Sequence, residues 1–310
     1  MNDYDVIPDL KYLKPLRFKK YSNLRRFFAN LVITFTMAFL RPKKGLKMKY
    51  YKIRGYKHNK IKVIVFRHEK QDKKAPGLLY IHGGGFQMAG TPVHIRMLMN
   101  IILQTGQTAV YVKYRLLPNN PFPAALFDAY HALEWMKAHA DFLRIDSKDL
   151  SVMGDSAGGN LAIGVSLLAR DKDGPKVSKV ALLYPVIDVK QETKSIIKYT
   201  DTPMWNSILN KSMWDLYLKN GDNGMLEYAS PSLANLKRFP KTYIETAEYD
   251  CLRDEGIQFA EQLKKAGVKV EEHHTKKTVH GYDAMFLSKF VKEMIKKRIK
   301  FLKGDLNEEN

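Results

Sequence analysis

The chain has 310 residues and a hydrophobic content of 45%, which is enough to bury a large core in a single α/β domain without disulfide staples. Its single cysteine, Cys251, excludes an intramolecular disulfide, provides no zinc-binding cluster and gives no sign of an oxidising compartment. We therefore expect a cytoplasmic protein in which Cys251 is a small buried hydrophobe rather than a reactive thiol.

The net charge of +20 is compatible with binding to nucleic acid, with an anionic membrane surface, or with a lysine-rich exterior. Local excesses of Lys and Arg occur at 11–26, 41–60 and 292–303, but none of them carries an RNA-binding or zinc-finger pattern. The charge is interpreted as a scattered basic surface, so the sequence predicts no nucleic-acid partner. Weak contact with an anionic membrane surface, and hence peripheral membrane association, is the alternative.

An apolar run of 14 residues at 27–40 lies between Arg26 and Arg41. It is shorter than the roughly 20 residues that a bilayer-spanning helix needs, and no small-residue cleavage pattern follows it. We predict a helix that covers an apolar cleft, with a monotopic membrane anchor as the alternative.

Strand and helix patterns alternate along most of the chain. Two strand-like runs at 49–56 and 61–66 predict an opening hairpin. The alternation that follows predicts a mostly parallel sheet with helices on both faces. The further predicted strands cover 77–81, 108–114, 149–153, 180–184, 242–246 and 268–272, and the predicted helices cover 91–104, 124–139, 160–170 and 254–266.

The regular succession of strand and helix patterns is interrupted between 188 and 236, where Trp205 and Trp214 lie among other apolar residues. This segment is longer than a simple crossover needs, and it predicts an inserted helical lid. Most of its apolar side chains are expected to pack against the core, and a few to line an acyl pocket.

Two glycine motifs that follow predicted strands point to one kind of chemistry. The segment GDSAG at 154–158 fits G-x-S-x-G, in which small residues allow a sharp strand-to-helix turn that exposes the hydroxyl of Ser156 as a candidate nucleophile. The segment HGGG at 82–85 follows the strand at 77–81, and its glycines let backbone N–H groups point at a developing oxyanion.

A serine nucleophile needs a histidine as its general base, and three histidines follow the late predicted strands. His273 and His274 lie at the end of a predicted strand, whereas His280 occupies a loop just past it. His280 is therefore the preferred base.

The histidine in turn needs a carboxylate that holds its tautomer, and we expect this group in the loop after the strand at 242–246. Asp250 is the preferred acid, and Glu248 is the alternative. Asp254 and Glu255 fall in the first turn of the following helix, where acids stabilise the helix dipole.

Taken together, these motifs resemble those of the hormone-sensitive-lipase-like family of bacterial carboxylesterases, within the α/β-hydrolase superfamily. The resemblance runs from about residue 77 to residue 282, and the first 50 residues match only loosely. The matching segments are HGGGF at 82–86, YRLLP at 114–118, PFPAA at 121–125, GDSAGGNLA at 154–162, DCLRDEG at 250–256 and HG at 280–281.

The resemblance implies an α/β-hydrolase fold, with a mostly parallel central sheet, helices on both faces and a helical cap. Tyr282 departs from a common phenylalanine, and its hydroxyl is expected near the catalytic histidine. The implied roles are Ser156 as nucleophile, Asp250 as acid, His280 as base, the N–H groups of Gly84, Gly85 and Ala157 as oxyanion hole, His82 with Gly83 as orienting groups of the glycine loop, and Asp155 as support of the turn.

The resemblance also implies a cap built from the N-terminal helices and the insertion. We accordingly divide the chain into N-terminal cap helices at 1–48, the first part of the core at 49–187, an inserted cap segment at 188–236 and the second part of the core at 237–310.

The sequence thus predicts a serine carboxylesterase that hydrolyses short-to-medium acyl esters of small molecules through an acyl-enzyme on Ser156, with neither a metal nor an organic cofactor. A lipase, or a deacetylase of a natural acetylated small molecule, is the alternative within enzymes. A catalytically silent ligand-binding α/β-hydrolase and a membrane-associated interaction protein are the alternatives from other classes. A homodimer is compatible with all of these.

Overall fold

The apolar runs of the sequence form the buried centre of one sheet in the computed structural model, which describes residues 2–20 and 22–304. Strands that are covered on both faces read as continuous hydrophobic runs, and Leu79 and Val152 in two such runs are completely buried. The strands of the described ranges are β1 (Leu46–Arg54), β2 (Lys60–His68), β3 (Ala75–Ile81), β4 (Thr108–Lys113), β5 (Ile145–Asp155), β6 (Val177–Leu183), β7 (Lys241–Tyr249) and β8 (Val270–Val279).

The strands are ordered β1-β2-β4-β3-β5-β6-β7-β8 across the sheet. Strand β2 pairs antiparallel with β1 and with β4, and the other neighbouring strands pair parallel. The opening hairpin and the mostly parallel sheet that the sequence predicts are therefore confirmed. Since parallel strands end at the same edge, the loops after β3, β5, β7 and β8 meet there.

Helices connect these strands and cover the sheet, with α2 packed against α10 and α3 packed against α5. Short 3₁₀ turns lie at Pro8–Leu13, Tyr56–His58, Pro231–Leu233 and Tyr282–Met285. The α-helices of the described ranges are α1 (Asn23–Ala38), α2 (Pro92–Thr105), α3 (Ala124–Ala138), α4 (Ala140–Leu143), α5 (Ala157–Asp171), α6 (Lys194–Lys198), α7 (Ser207–Tyr217), α8 (Leu226–Ala229), α9 (Arg253–Lys265) and α10 (Lys289–Lys303).

Strand β8 is longer than the sequence pattern indicates, because it continues past residue 272 to Val279. Residues 271–278 are all polar, so they carry no hydrophobic alternation, yet backbone pairing with β7 extends to the Tyr249 and Val279 pair. His273 and His274 consequently lie inside the strand rather than at its end, while His280 still follows it directly.

The N-terminal apolar run forms part of α1, whose Ser22 cap accepts a hydrogen bond from the backbone N–H of Arg25. The prediction that this run covers an apolar cleft does not hold for most of its side chains, although Ile33, Met37 and Leu40 pack against the core. Arg26 and Met37 are the buried residues of α1, and most of its Phe, Leu and Val side chains are exposed.

The segment before α1 is tied to the insertion by polar contacts. The Tyr4 hydroxyl donates to Asp201 over 2.6 Å, and the backbone N–H of Met204 donates to the Leu16 carbonyl over 2.7 Å. The division of the chain at residues 48, 187 and 236 stays a prediction, and residues 1, 21 and 305–310 of its outer ranges lie outside the described residues. Within the ranges that are described, no helix combines the length and the apolar character needed to cross a membrane.

A buried ion cluster joins α10 to the sheet and to the loop after β8. Arg298 of α10 is completely buried and donates to Glu245 of β7 over 2.7 and 2.8 Å and to Asp283 over 2.8 and 3.1 Å. Tyr184 donates to Asp283 over 2.7 Å, and the Tyr282 hydroxyl donates to Glu245. The Tyr282 hydroxyl thus donates to this cluster rather than to His280.

We expect Arg298→Met to lower the free energy of unfolding by about 3–5 kcal/mol, since it leaves two buried carboxylates without their cation. Urea unfolding followed by circular dichroism measures this loss. The control Lys300→Met removes an exposed cation from the same helix and should change the free energy by less than about 0.5 kcal/mol. A loss below about 1 kcal/mol for Arg298→Met would show that the cluster does not hold α10 in place.

Candidate active site

Ser156 lies on a sharp turn between β5 and α5, with a φ of +54° and a ψ of −121°. Glycine is required on both sides of it. A Cβ atom on Gly154 would lie 2.1 Å from the Gly158 carbonyl oxygen, and one on Gly158 would lie 2.1 Å from the Ile81 carbonyl oxygen. This absence of side chains lets the helix start close to β3 and turns the serine hydroxyl toward the edge of the sheet.

Ser156, His280 and Asp250 form one continuous hydrogen-bonded chain. The Ser156 Oγ lies 2.9 Å from His280 Nε2, and His280 Nδ1 lies 2.7 Å from Asp250 Oδ2. The other Asp250 oxygen accepts the backbone N–H of Leu252 over 3.0 Å. Because Nδ1 donates to the carboxylate, Nε2 is left to accept the serine proton. The arrangement is therefore able to generate a nucleophilic serine.

The alternative residues are all engaged elsewhere. Glu248 accepts a backbone N–H of β8 over 2.7 Å. His273 lies 2.8 Å from Glu271, and His274 lies 3.0 Å from Glu272. None of these pairs includes Ser156 or His280, so among the candidate residues Asp250 and His280 are the ones hydrogen-bonded in series with Ser156.

The two acids at the start of α9 have different surroundings. Asp254 lies in the first turn of α9, as the sequence predicts, and accepts from Arg253 over 2.7 Å and from the backbone N–H of Ser195 over 2.8 Å. Glu255 is instead buried in the core, where it accepts the backbone N–H of Ile187 over 2.7 Å. Burial raises the pKa of Glu255 well above its ordinary value. The sequence interpretation assigned Glu255 to the helix dipole, whereas the structure shows that it binds the segment after β6.

Three backbone N–H groups near Ser156 have no acceptor among the described residues. They belong to Gly84, Gly85 and Ala157. Gly84 and Gly85 have φ values of +114° and +58°, which glycine adopts without strain, and Ala157 is the first residue of α5. Unpaired N–H groups beside a nucleophile are suited to stabilise a developing negative charge.

His82 is buried beneath the glycine loop. Its Nδ1 donates to the Gly83 carbonyl over 2.8 Å, and its ring stacks on Tyr114 with centroids 4.4 Å apart. Burial and the nearby His94 lower the pKa of His82 to about 3. The imidazole is accordingly neutral near neutral pH and supports the loop without carrying a charge.

Asp155 is also buried, yet it is ionised. Burial alone would raise its pKa, but contacts with His94 at 3.2 Å and with the Tyr80 hydroxyl at 2.6 Å lower the pKa of Asp155 to about 2. His94 is oriented by the backbone N–H of Thr91, which donates to its Nδ1 over 2.9 Å. Sequence reasoning missed Tyr80 and His94, since neither belongs to a motif and their contact with Asp155 joins three separate elements.

A cavity of about 330 Å³ opens beside Ser156 and His280. Trp205 from the insertion closes one side, because its ring is so near Gly85 that a Cβ atom there would lie 2.7 Å from it. The expectation that the insertion lines a pocket is thus fulfilled by Met204 and Trp205, although α2 and the glycine loop contribute as much. The apolar wall is formed by Met88, Val93, Met97, Met204, Trp205 and Ala284.

Comparisons with known proteins agree with this architecture. The family model described as alpha/beta hydrolase fold matches residues 78–284. Esterase LipI of Mycobacterium tuberculosis is 37% identical over 214 residues, which cover 67% of this chain and 66% of that protein. Carboxylesterase NlhH of the same organism is 35% identical over 215 residues, with coverages of 67% and 66%. The chain therefore spans just under two thirds of the length of either relative.

Among solved structures, a bacterial heroin esterase superposes with a TM-score of 0.89 at 31% sequence identity, over 98% of each chain. This agreement includes the N-terminal segment, which the family model leaves out, as well as the insertion. The predicted fold class is confirmed, and the chain belongs to the hormone-sensitive-lipase-like family of the α/β-hydrolase superfamily.

Proposed function

We propose that this protein is a serine carboxylesterase that hydrolyses short-chain esters of small molecules through an acyl-enzyme on Ser156. The observation that carries the proposal is the hydrogen-bonded chain from Asp250 through His280 to Ser156, beside three unpaired backbone N–H groups. Family membership and the names of the similar proteins, esterase and carboxylesterase, support the same activity.

In the first half of the reaction, His280 Nε2 takes the hydroxyl proton of Ser156 while the serine oxygen attacks the ester carbonyl. The negative charge that forms on the carbonyl oxygen is stabilised by the N–H groups of Gly84, Gly85 and Ala157. His280 then gives its proton to the departing alkoxide, and the alcohol leaves. The acyl group remains bound to Ser156 as an ester.

In the second half, a water molecule gives a proton to His280 Nε2 and attacks the acyl-enzyme at the same carbonyl. The carboxylic acid leaves when Ser156 recovers its proton from His280. Throughout both halves, Asp250 stays ionised, holds the imidazole in one tautomer and stabilises the imidazolium that forms twice in each turnover.

The size of the cavity favours short acyl chains. Its volume of about 330 Å³ is at the lower end of the range for small-molecule sites, and its wall is mostly apolar. The similar protein named a heroin esterase also takes its name from a small-molecule ester.

We expect Ser156→Ala to reduce kcat for p-nitrophenyl butyrate by a factor of about 10⁴ or more, because the nucleophile is lost while the fold is kept. The control is Ser166→Ala, which removes a buried hydroxyl from α5, the helix that follows Ser156, where it donates to the Ala162 carbonyl. If Ser166→Ala keeps wild-type activity while Ser156→Ala shows the expected loss, Ser156 is the nucleophile. Full hydrolysis by Ser156→Ala would overturn it.

Labelling with a fluorophosphonate separates an esterase from a silent ligand-binding protein, because only an activated serine reacts. We expect the wild type and Ser166→Ala to be labelled and Ser156→Ala to stay unlabelled. An unlabelled wild type would favour the silent binding protein.

Chain length is tested with a series of p-nitrophenyl esters. We expect kcat/KM to fall at least about tenfold from the butyrate to the decanoate, because a longer chain does not fit the cavity. Met88→Ala shortens a half-buried side chain of the wall and so enlarges the cavity, and it should raise the ratio of kcat/KM for the decanoate to kcat/KM for the butyrate several-fold. The control Met225→Ala removes a methionine away from the cavity and should leave this ratio unchanged. An unchanged ratio in Met88→Ala would show that Met88 does not limit the length of the acyl chain.

The neutral state of His82 predicts a pH dependence of stability. The unfolded chain protonates this residue near pH 6.5 and the folded protein only near pH 3, so protons bind the unfolded state more and stability falls as pH is lowered between these values. Between pH 7 and pH 5, the protonation of His82 in the unfolded chain should lower the free energy of unfolding by about 2 kcal/mol.

The measurement is urea unfolding of the wild type and of His82→Asn, which keeps a donor toward the Gly83 carbonyl but does not titrate. We expect the wild type to lose about 2 kcal/mol more than His82→Asn over this interval. The exposed residue His139 provides the control His139→Asn. Equal losses in the wild type and His82→Asn would contradict a buried neutral imidazole.

A further inference from the structure

Helix α1 turns Arg26 and Asn30 toward the protein and most of its large apolar side chains toward the solvent, the reverse of an ordinary surface helix, although Met37 is buried. On the inner face, Arg26 is buried and donates to the Gln87 side chain over 2.7 Å. Asn30 donates to the Gln87 carbonyl over 3.0 Å and accepts the backbone N–H of Ala89 over 2.7 Å. These polar contacts hold the helix with its apolar face outward.

The outer face of α1 carries large apolar side chains at helical spacing, each between 53% and 64% exposed. The Phe35 and Phe39 rings contact each other with centroids 4.8 Å apart. A continuous exposed apolar surface of this kind marks an interaction site rather than ordinary solvent-exposed structure. We call it the apolar strip, and it consists of Phe27, Phe28, Leu31, Val32, Phe35 and Phe39.

A groove with a volume of about 840 Å³ begins where the apolar strip ends, and Phe39 belongs to both. Four cations line it, namely Arg41, Lys43, Arg96 and Lys292, and we call it the cationic groove. In the part of the chain that is described, no carboxylate forms a salt bridge with any of the four. Burial and the nearby charge of Arg96 lower the pKa of Lys43, as expected for cations gathered without an anion.

The net positive charge is concentrated in one stretch of the sequence that includes α1, β1 and β2, rather than spread evenly along the chain. Residues 10–68 contain 18 Lys and Arg residues and no Asp or Glu. The rest of the chain holds 34 Lys and Arg residues against 32 Asp and Glu residues and is nearly neutral. Almost all of the net charge therefore lies in the segment that contains the apolar strip.

We propose that the apolar strip and the cationic groove dock this protein on the surface of an anionic lipid bilayer. Helix α1 lies in the plane of the interface with the strip among the upper acyl chains, while the groove holds lipid phosphates. Docking in this mode does not require a spanning helix. Charge selects the bilayer over a second copy of the chain, because two copies joined through this face would bring two unpaired cationic segments together.

Docking also has a consequence for the cavity. Gln87 and Ala89, which hold α1, flank Met88 of the cavity wall. The bound protein therefore carries its cavity close to the bilayer surface, where apolar esters concentrate.

The first test is sedimentation of the full-length protein with phosphatidylcholine vesicles that contain or lack about 30% phosphatidylglycerol. We expect binding to the anionic vesicles at about 50 mM salt, a large decrease at about 500 mM salt, and little binding to the neutral vesicles. Failure to sediment with the anionic vesicles at low salt would overturn the proposal.

The apolar strip is tested with the triple variant Phe27→Ser, Leu31→Ser and Phe35→Ser. We expect its partition coefficient on anionic vesicles to fall about 100-fold or more, since three large side chains no longer leave water. The matched control removes three exposed apolar side chains from other parts of the chain and should bind like the wild type. It combines Ile197→Ser, Ile208→Ser and Leu233→Ser.

The cationic groove is tested with the double variant Arg41→Gln and Lys292→Gln. We expect a loss of about fivefold for each cation removed. The matched control lowers the net charge equally at exposed lysines elsewhere, through Lys269→Gln and Lys276→Gln, and should lose much less. Equal losses in the two double variants would overturn the role of the groove.

Two further measurements complete the experiment. Unchanged hydrolysis of soluble p-nitrophenyl acetate by each variant confirms that the variants are folded. Light scattering after size-exclusion chromatography determines the oligomeric state. A dimer that the triple serine variant converts to a monomer, together with no vesicle binding by the wild type, would overturn the proposal and assign the strip to a second copy.

Discussion

The architecture of the site depends on the close approach of two loops that have no room for a side chain between them. The turn after β5 meets the glycine loop after β3, and a Cβ atom on Gly83 would lie 2.3 Å from the Asp155 carboxylate. Parallel pairing of β3 with β5 brings both loops to the same edge. Once they touch, the serine hydroxyl and the unpaired N–H groups share one small volume, and the loops after β7 and β8 complete the set.

This contact also explains why two buried titratable groups have opposite charge states. Asp155 lies between the two loops with hydrogen-bond donors from Tyr80 and His94, so the charged form is stabilised despite burial. His82 lies among aromatic rings and donates only to a carbonyl, so burial favours the neutral form. The glycine loop is therefore supported by the negatively charged Asp155 and by the neutral donor His82.

Much of this arrangement could be predicted from the sequence, because the signals are local. Apolar runs defined the buried strands, the glycine spacing identified the turn at Ser156, and loop positions after the late strands favoured Asp250 and His280 over their neighbours. The polar half of β8 has no such signal, since its structure comes from backbone pairing with β7. The contacts of Arg298 and the inverted orientation of α1 depend on partners far away in the chain, so no local pattern reveals them.

The contact between Trp205 and Gly85 links two properties that are usually treated separately. The indole closes one side of the cavity beside Ser156, and it also lies against Gly85, whose N–H belongs to the proposed oxyanion hole. Under the proposed function, a smaller residue at position 205 would admit larger esters but would also remove the ring that confines Gly85. The proposal therefore couples substrate range and reaction rate through a single van der Waals contact, and it favours the opposite wall as the place to broaden specificity.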